Sequence, residues 1–311
     1  MISVIMCVYK EKLKWIKESI QSIIEQTYKD LELIIVIDNP RLDSEIKDFL
    51  IRAESSDKRI KLLFNEKNEG PSNSRNRGIM KSVGTHIALM DSDDIALPNR
   101  LETEYQFMCN NKCDCVGSLY YIVDENSNRT GESEIIKKDI NTLLKYSNYL
   151  VNSTLLIKKE KIMAIGGYRH FNTCEDYDFI LRLLSSGCKF GLDNEFLLSY
   201  RVSDGSRSNR SVSSTRNDYY YIQKLFKERN KKGTLEDSYC EENYKEYLLK
   251  HSGESVEANY RKVNECIQEA VSRMKNKQIF GGAIFFIKAF WIDFSYAKSE
   301  IALRLKIMFI K

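Results

Sequence analysis

Three acidic residues follow a short apolar run in the stretch HIALMDSDD, residues 86–94. Asp91, Asp93 and Asp94 lie within four positions, where like charges repel one another and a packed core gains nothing from them. Either the cluster is a solvated turn, or a cation neutralises it. The Asp-x-Asp spacing suits Mg²⁺ or Mn²⁺, which prefer oxygen ligands and are commonly held by one or two carboxylates together with substrate phosphates.

A second acidic pair, Glu175-Asp176, directly precedes the amphipathic stretch 177–184. Considered without any other information, the pair is more typical of a helix N-cap region than of a catalytic site. A carboxylate can also act as a general base toward a group within hydrogen-bond reach. Histidine offers few alternatives, since the chain has only three.

The elements that would position these acids alternate between β-rich apolar runs and helical patterns. This alternation predicts βαβ units and a parallel sheet with right-handed crossovers. Such sheets bind ligands at the carboxyl ends of their strands. Asp38 follows the second run and Asp91 the fourth, so both are predicted at that edge. The predicted strands are 2–9, 31–37, 60–64 and 85–90, and the predicted helices are 12–26, 43–54 and 72–83.

Beyond residue 98 the pattern becomes mixed. The sequence predicts a helix at 100–111, a strand at 116–123, a further apolar stretch at 149–157, a turn at 166–168, a linker at 203–216 and charged helix over 217–275.

Residues 279–311 are apolar at helical spacing but are interrupted by charges, which disfavours a membrane span. An interfacial amphipathic helix and a helix packed on its own domain or a partner subunit both remain open.

Composition narrows the class of protein. A chain of 311 residues with 42% hydrophobic and 30% charged residues is long enough for about two folded domains, or for one large domain with an appendage. The net charge of +4, without a long Lys/Arg block, predicts no nucleic-acid partner. The N-terminus lacks a basic region and a cleavage site, and the eight cysteines fit no zinc pattern. Together these features predict a protein of the reducing cytoplasm.

Five segments occur along the chain in this order: SVIMCVYKEK, ELIIVIDNP, NEKNEGPSNSRNRGI, HIALMDSDD and GGYRHFNTCEDYDFILRLLSSG. Together they make the chain similar to the family 2 glycosyltransferases, over roughly residues 1–205. The resemblance implies an α/β fold of the nucleotide-sugar-binding GT-A type, with a mainly parallel sheet flanked by helices. It divides the chain into a catalytic domain, 1–205, and a mainly helical region, 206–311. Within the catalytic domain, 1–98 is the nucleotide-binding half and 99–205 the acceptor half.

The resemblance also implies roles for donor-binding residues. Tyr9 and Asp38 correspond to nucleoside contacts, Asp38 through the base, and Arg75 corresponds to an arginine near the base or the diphosphate. Asp91 corresponds to the ribose contact. Asp93 corresponds to the ligand of Mn²⁺ or Mg²⁺ in the DxD motif.

On the acceptor side, the resemblance implies that Asp176 is the general base of an inverting transfer and that Glu175 contacts the acceptor. Asp94 receives no fixed role. A histidine often follows a Tyr-Arg pair near the end of the catalytic region in this family, whereas Tyr200-Arg201 is followed here by VSDGS. Without this histidine, Asp204 or a phosphate oxygen would have to complete the coordination shell of the metal ion.

Two further departures from the family pattern concern turns. Cys7 stands where the family usually has proline, which is expected to change little. Asn39-Pro40 replaces the small residues of a DDGS-like turn and leaves the detail of base recognition open.

By resemblance, the expected activity is metal-dependent transfer from a UDP-sugar to a saccharide, in synthesis of capsule, O-antigen or exopolysaccharide. A lipid-linked acceptor, peripheral attachment to the inner face of the cytoplasmic membrane and a homo-oligomer are further expectations. One alternative, a nucleotidyltransferase, is expected to carry a Gly-rich loop after its first strand, and CVYKEKLKW has no glycine. A non-catalytic partner subunit is expected to lose the acids. A dinucleotide dehydrogenase would carry G-x-G-x-x-G after the first strand.

Overall fold

The computed structural model describes residues 1–203, 212–276 and 278–310; the side chains of 212, 213, 254, 275 and 306–310 are not described. Asp204 and most of the predicted linker 203–216 lie outside the described residues.

The first half of the chain forms the predicted parallel sheet, with strand order β3-β2-β1-β4. Every strand and helix predicted for this half is confirmed, and each end lies within two residues of its predicted position. All seven residues of the second strand are buried, as expected for a strand covered on both faces. The elements are β1 (Ile2–Val8), α1 (Leu13–Ile24), β2 (Leu31–Ile37), α2 (Ser44–Ser56), β3 (Ile60–Phe64), α3 (Gly70–Lys81) and β4 (His86–Asp91).

The second half continues the same sheet with mixed strand directions, in the order β4-β8-β6-β9-β5. Strand β8 pairs antiparallel with β4 and β6, whereas β6 and β9 are parallel. The whole is the predicted α/β fold with a mainly parallel sheet flanked by helices. The elements are β5 (Ile95–Ala96), α4 (Arg100–Asn111), β6 (Cys115–Val123), β7 (Arg129–Glu132), α5 (Ile140–Leu144), β8 (Leu156–Lys158), α6 (Lys159–Ala164), α7 (Glu175–Ser185) and β9 (Phe190–Arg201).

Alternating side chains of the sheet pack into two separate hydrophobic cores. In β2, Leu33, Ile35 and Ile37 belong to one hydrophobic cluster, and Ile34 and Val36 belong to the other. Each buried aliphatic side chain of this kind stabilises the fold by roughly 1.5–3 kcal/mol. The two cores hold the strand ends rigidly, and the strand ends carry the acidic residues.

Five helices form the rest of the chain. Helices α8 and α9 pack beside α7 in one aromatic-rich cluster, and α10, α11 and α12 pack together in another. Within the described residues, no helix combines the length and the apolar character needed to cross a membrane. The helices are α8 (Val212–Lys232), α9 (Glu241–His251), α10 (Glu254–Lys275), α11 (Ile279–Ile292) and α12 (Phe294–Ile310).

The prediction of a linker over 203–216 is wrong for its last residues, because α8 begins at Val212. Tertiary contacts hold this Ser-rich first turn: Arg216 forms an ion pair with Glu300 at 3.0 Å, and Asn217 donates to the His251 carbonyl at 2.8 Å. Composition cannot reveal such contacts. The helical segment that starts at residue 279 is interrupted at Asp293, between α11 and α12. The Asp293 carboxylate accepts a hydrogen bond from the Tyr296 amide in the first turn of α12.

Candidate active site

The carboxyl ends of β1, β2 and β4 meet at one edge of the sheet. Cys7 is paired in register with Asp91, and Val8 with Ile37. The residues that follow β1 and β2 therefore lie beside the end of β4. The sheet brings Tyr9, Asp38 and Asp91 together at this edge, as the sequence predicts.

Asp38 is 4% exposed and its carboxylate accepts three hydrogen bonds. The donors are Asn65 Nδ2 at 2.7 Å, the Glu69 amide at 2.8 Å and the Gly70 amide at 2.9 Å. Gly70 has φ +79°, a conformation that favours glycine. Asp38 thus anchors the loop that starts α3, and its predicted contact with the base stays a prediction.

Asn39 connects the loops after β1 and β2. Its Nδ2 donates to the Tyr9 carbonyl at 2.7 Å, and its Oδ1 accepts from the Arg41 amide at 3.0 Å. On the other side, the Tyr9 and Lys10 amides both donate to Glu11 Oε2, at 2.7 and 3.1 Å. The departure from the family turn at Asn39-Pro40 therefore comes with a direct tie between the two loops that flank the site.

Arg75, on α3, joins the two acidic motifs. Its Nη2 lies 2.9 Å from Asp91 Oδ1 and its Nη1 lies 3.1 Å from Glu175 Oε1. Burial opposes the charge of the guanidinium, but the carboxylates more than offset this and raise the pKa of Arg75 well above its usual value. The DxD and ED segments are far apart in sequence, but the Arg75 side chain contacts both and holds them together.

Tyr168 and Asn152 complete the surroundings of Arg75. The guanidinium lies 5.5 Å from the centroid of the Tyr168 ring, which stacks on Phe179. With its carboxamide oxygen toward the guanidinium, Asn152 accepts from Arg75 Nε at 3.1 Å and donates to the Tyr168 hydroxyl at 2.8 Å. Arg75 is 8% exposed and Glu175 is 6% exposed. The predicted donor contact of Arg75 and acceptor contact of Glu175 stay predictions, since in this conformation the two groups pair with each other.

Replacing Arg75 by methionine is expected to cost about 3–5 kcal/mol of unfolding free energy, because Asp91 and the buried Glu175 both lose the guanidinium that pairs with them. Urea denaturation followed by circular dichroism measures this. The double variant R75M/E175Q is expected to recover part of the loss, because it removes the buried carboxylate charge that Arg75 balances. Equal losses in the single and double variants would contradict the ion pair as the cause.

Asp93 and Asp94 occupy different environments. Burial, Asp91 and Glu11 raise the pKa of Asp93 to about 7, and Arg201 offsets this only in part. Asp94 is 1% exposed; burial and then Asp93 raise its pKa well above the usual value. Its Oδ1 accepts from the Arg201 amide at 2.9 Å. Asp94 is therefore a structural group beneath the motif, and Asp93 carries the unneutralised charge.

Arg201 fixes the backbone of the DxD segment. Its guanidinium is fully buried and donates from Nε to the Asp93 carbonyl at 2.7 Å. Its Nη2 pairs with Glu18 at 2.8 Å. The Tyr-Arg pair singled out in the sequence thus supports the motif through its arginine.

A divalent cation fits Asp93 chemically. Within the described residues, no three His, Cys, Asp or Glu side chains converge on a point where the protein alone could hold an ion. However, burial and two neighbouring acids oppose the charge of Asp93, and a cation would reverse that penalty. Mg²⁺ usually takes one or two carboxylates plus substrate phosphates. The residues present therefore fit a metal bound together with a diphosphate, and metal dependence stays a prediction.

Asp176 is the second residue of α7 and is half-buried. Its Oδ2 accepts from Asn148 Nδ2 at 2.9 Å, and its Oδ1 accepts from the Tyr177 amide at 2.8 Å. Burial and then the neighbouring charge of Glu175 raise the pKa of Asp176 to about 6. A carboxylate with this pKa is mostly ionised at neutral pH and suits proton abstraction near that pH.

Sequence reasoning missed several polar residues of the site, among them Glu11 and Asn148. Glu11 faces Asp93, and Asn148 holds the Asp176 carboxylate. Glu11 follows the first strand within the recognised segment, so its position at the sheet edge was a usable signal. Asn148 offered none, because it lies 28 positions before its partner in an irregular stretch.

Comparison with known proteins identifies the family. The family model described as "Glycosyl transferase family 2" matches residues 3–171. An uncharacterized glycosyltransferase of Methanocaldococcus jannaschii is 36% identical over 206 residues, covering 65% of this chain and 71% of that protein. The O-antigen biosynthesis glycosyltransferase WbnJ of Escherichia coli is 34% identical over 232 residues, covering 74% and 90%.

Solved structures agree on the fold. S. aureus TarS in complex with UDP-GlcNAc superposes with a TM-score of 0.63 at 16% identity, covering 93% of this chain and 91% of that one. TarS in complex with UDP gives a TM-score of 0.61. The resemblance to the GT-A fold drawn from five sequence segments is thereby confirmed. On the family match and the relatives together, this chain belongs to glycosyltransferase family 2.

Proposed function

We propose that the protein is an inverting glycosyltransferase that moves a sugar from a UDP-sugar to a hydroxyl of a saccharide acceptor. One observation carries the proposal: Arg75 bridges Asp91 and Glu175, so the DxD segment lies next to the start of α7, which also carries Asp176. The TarS structures, which hold UDP and UDP-GlcNAc, favour uridine as the nucleoside. The name of the E. coli relative, an O-antigen biosynthesis glycosyltransferase, favours a saccharide acceptor.

In the proposed reaction, Asp176 takes the proton of the acceptor hydroxyl. The acceptor oxygen forms a bond to the anomeric carbon while the bond from that carbon to the diphosphate oxygen breaks, and the diphosphate leaves with the electron pair. Attack opposite to the leaving group inverts the anomeric configuration. Asn148 keeps the carboxylate oriented through its hydrogen bond to Oδ2. Mg²⁺ or Mn²⁺, held by Asp93 and the donor, would neutralise charge on the leaving diphosphate.

A donor-hydrolysis screen tests the proposal. The purified protein is incubated with a panel of UDP-, GDP- and dTDP-sugars, with and without Mn²⁺, and release of the nucleoside diphosphate is measured. We expect release from a UDP-sugar that depends on the cation. Release of pyrophosphate from nucleoside triphosphates would instead support a nucleotidyltransferase. Binding of a donor without its turnover would support a non-catalytic nucleotide-sugar-binding partner subunit.

We further propose that α11 attaches the protein to the inner face of the cytoplasmic membrane, where a lipid-linked acceptor would lie. The helix buries Gly282 and Ala289 against α10 but exposes the opposite face. Four large apolar side chains line that face at intervals of four and three residues, and a fifth, Phe294, follows at the start of α12. They are Phe280 (89% exposed), Ile284 (53%), Ile287 (56%), Trp291 (86%) and Phe294 (65%).

This α11 stripe combines apolar area with basic charge. Residues 279–311 contain five basic and two acidic residues, and one of the acids, Glu300, is buried in ion pairs. Attraction to anionic lipid is worth roughly 1 kcal/mol per basic residue near the surface. Full insertion of an aromatic side chain adds roughly 1.5–3 kcal/mol. An anionic bilayer surface therefore matches both properties of the stripe.

We expect the full-length protein to float with anionic liposomes, and the double variant F280S/W291S to remain largely in the bottom fraction. The variant L249S, which changes a side chain that is 80% exposed on α9, is a matched control and should float like the wild type. A wild-type protein that stays at the bottom as a monomer contradicts the membrane proposal. A dimer that F280S/W291S dissociates would assign the stripe to a second subunit.

A further inference from the structure

The loop that precedes the ED pair belongs to the catalytic domain by sequence but is held by the C-terminal helices. This loop, residues 169–174, connects the Gly166-Gly167 turn to α7 and ends at Cys174 with φ +56°. A positive φ is uncommon for a residue other than glycine. Because Asp176 lies two residues after Cys174, the direction of its carboxylate depends on how the loop is held.

Asp218, on α8, makes the central contacts to the loop. Its Oδ2 accepts from the Thr173 amide at 2.7 Å and from Thr173 Oγ1 at 2.8 Å. Its Oδ1 accepts from the hydroxyl of Tyr244 on α9, and that hydroxyl in turn accepts from the Asn172 amide at 3.1 Å. Two consecutive backbone amides of the loop are therefore fixed by one carboxylate and one hydroxyl of the helices.

The remaining residues of the loop also contact α8, α9 or the turn that joins them. Arg169 pairs with Asp237 at 2.8 Å, and the His170 carbonyl accepts from Tyr239 at 2.7 Å. Phe171 packs among the rings of Tyr221, Tyr239 and Tyr244. Cys174 Sγ lies 3.6 Å from the Thr215 carbonyl. Every residue from Arg169 to Cys174 is thus contacted by the region between residues 215 and 244.

The burial of the Asp218 carboxylate favours a single, fixed position of the loop. Asp218 is fully buried, and burial raises the pKa of its carboxyl, whereas its hydrogen bonds from Tyr244 and Thr173 lower it. A buried carboxylate is strongly penalised when a donor is lost. Displacing Thr173 would therefore leave Asp218 unsatisfied.

We propose that α8 and α9 are part of the catalytic apparatus, and that Asp218 is a positioning residue that sets the orientation of Asp176 through Thr173. The proposal rests on the proposed role of Asp176 as the base. It also lies outside the family match, which ends at residue 171.

The test compares three variants of the full-length protein. In Asp218→Ala the loop loses both hydrogen bonds from Thr173, and Tyr244 loses its acceptor, so kcat is expected to fall about 10²-fold while the donor KM changes less than about twofold. The acid limb of the kcat–pH profile should also shift, because the surroundings of Asp176 change. Asp218→Asn should retain most activity, since one amide oxygen accepts from both Thr173 donors and its NH₂ donates to Tyr244. Glu300→Ala breaks a buried ion pair of α8 without touching the loop, and should lower Tm while leaving kcat unchanged.

Amide hydrogen exchange separates this proposal from the proposed function. In Asp218→Ala, the amides of residues 172 and 173 should exchange faster than in the wild type and in Glu300→Ala, whether or not any donor is turned over. Unchanged exchange there, or a loss of kcat that follows Tm equally in Asp218→Ala and Glu300→Ala, would overturn the positioning role. Faster exchange with an unaltered kcat and pH profile would overturn the link to Asp176. An inactive wild type would reject the proposed function instead.

Discussion

Asp176→Asn is expected to abolish sugar transfer while leaving donor binding nearly intact. The base acts on the acceptor hydroxyl and not on the nucleotide, so its loss removes a transition-state interaction of roughly 10²–10⁴-fold in rate. Initial rates of transfer and calorimetric titration with the donor measure the two quantities. Asp139→Asn is a matched control, because Asp139 is also an acid at a helix N-terminus but is exposed on α5.

The pH dependence gives a second measurement of the same residue. Because the pKa of Asp176 is raised to about 6, turnover of the wild type should rise with pH through that value and then level as the carboxylate ionises. Donor affinity that falls as much as turnover in Asp176→Asn would make the residue a binding group. An α-linked product from an α-linked donor would contradict inversion.

Asp93→Asn is expected to lower turnover by roughly 10²–10³-fold or more, because the leaving diphosphate loses its cation. Overall folding should be preserved, since the unneutralised charge of Asp93 opposes rather than supports the fold. EDTA should inactivate the wild type to a similar degree. Asp48→Asn, which changes an exposed acid on α2, should have no effect on either measurement. Full activity in EDTA, or in Asp93→Asn, is incompatible with a metal at this position.

Thermal unfolding checks the metal without any turnover. The pKa of Asp93 is raised to about 7, so its ionisation destabilises the folded state as pH rises through that value. A cation that binds the folded state should raise Tm by mass action. We expect Mn²⁺ with UDP to raise the Tm of the wild type more at pH 8 than at pH 6, since the carboxylate must lose its proton to bind the ion. Asp93→Asn should show little of this shift.

Periodicity alone predicted the first half of the sheet and, in the second half, α4 and β6, but it missed β9. Strands β1, β2 and β4 are nearly continuous apolar runs, as strands of a buried parallel sheet usually are. Strand β9 was missed because the polar residues Asp193 to Glu195 interrupt its pattern, where its pairing with β6 shifts register. Loss of the two-residue period at such an irregularity hides the strand from pattern reasoning.

The sequence predicted which residues belong to the candidate site, but not which of them contact one another. The family resemblance named Arg75, Asp91 and Glu175 separately, whereas the structure joins them in one buried ion-pair chain. Arg75 and Glu175 are 100 positions apart, and no local pattern encodes that distance. Their individual roles toward donor and acceptor stay predictions.

The aromatic cluster that joins α7 to α8 and α9 has a consequence for protein engineering. Exchange of C-terminal regions between relatives would naturally be attempted near residue 205, the predicted end of the catalytic domain. That junction would divide the cluster of Phe171, Tyr177, Tyr221 and Tyr244 between two parents whose side chains never adapted to each other. A crossover between α9 and α10, at residues 252–253, keeps the cluster within one parent, although contacts such as Tyr260 to Asn217 would still need matching. Hybrids joined at the later position should therefore retain activity more often, and the swapped unit would then be the helices that carry the exposed stripe.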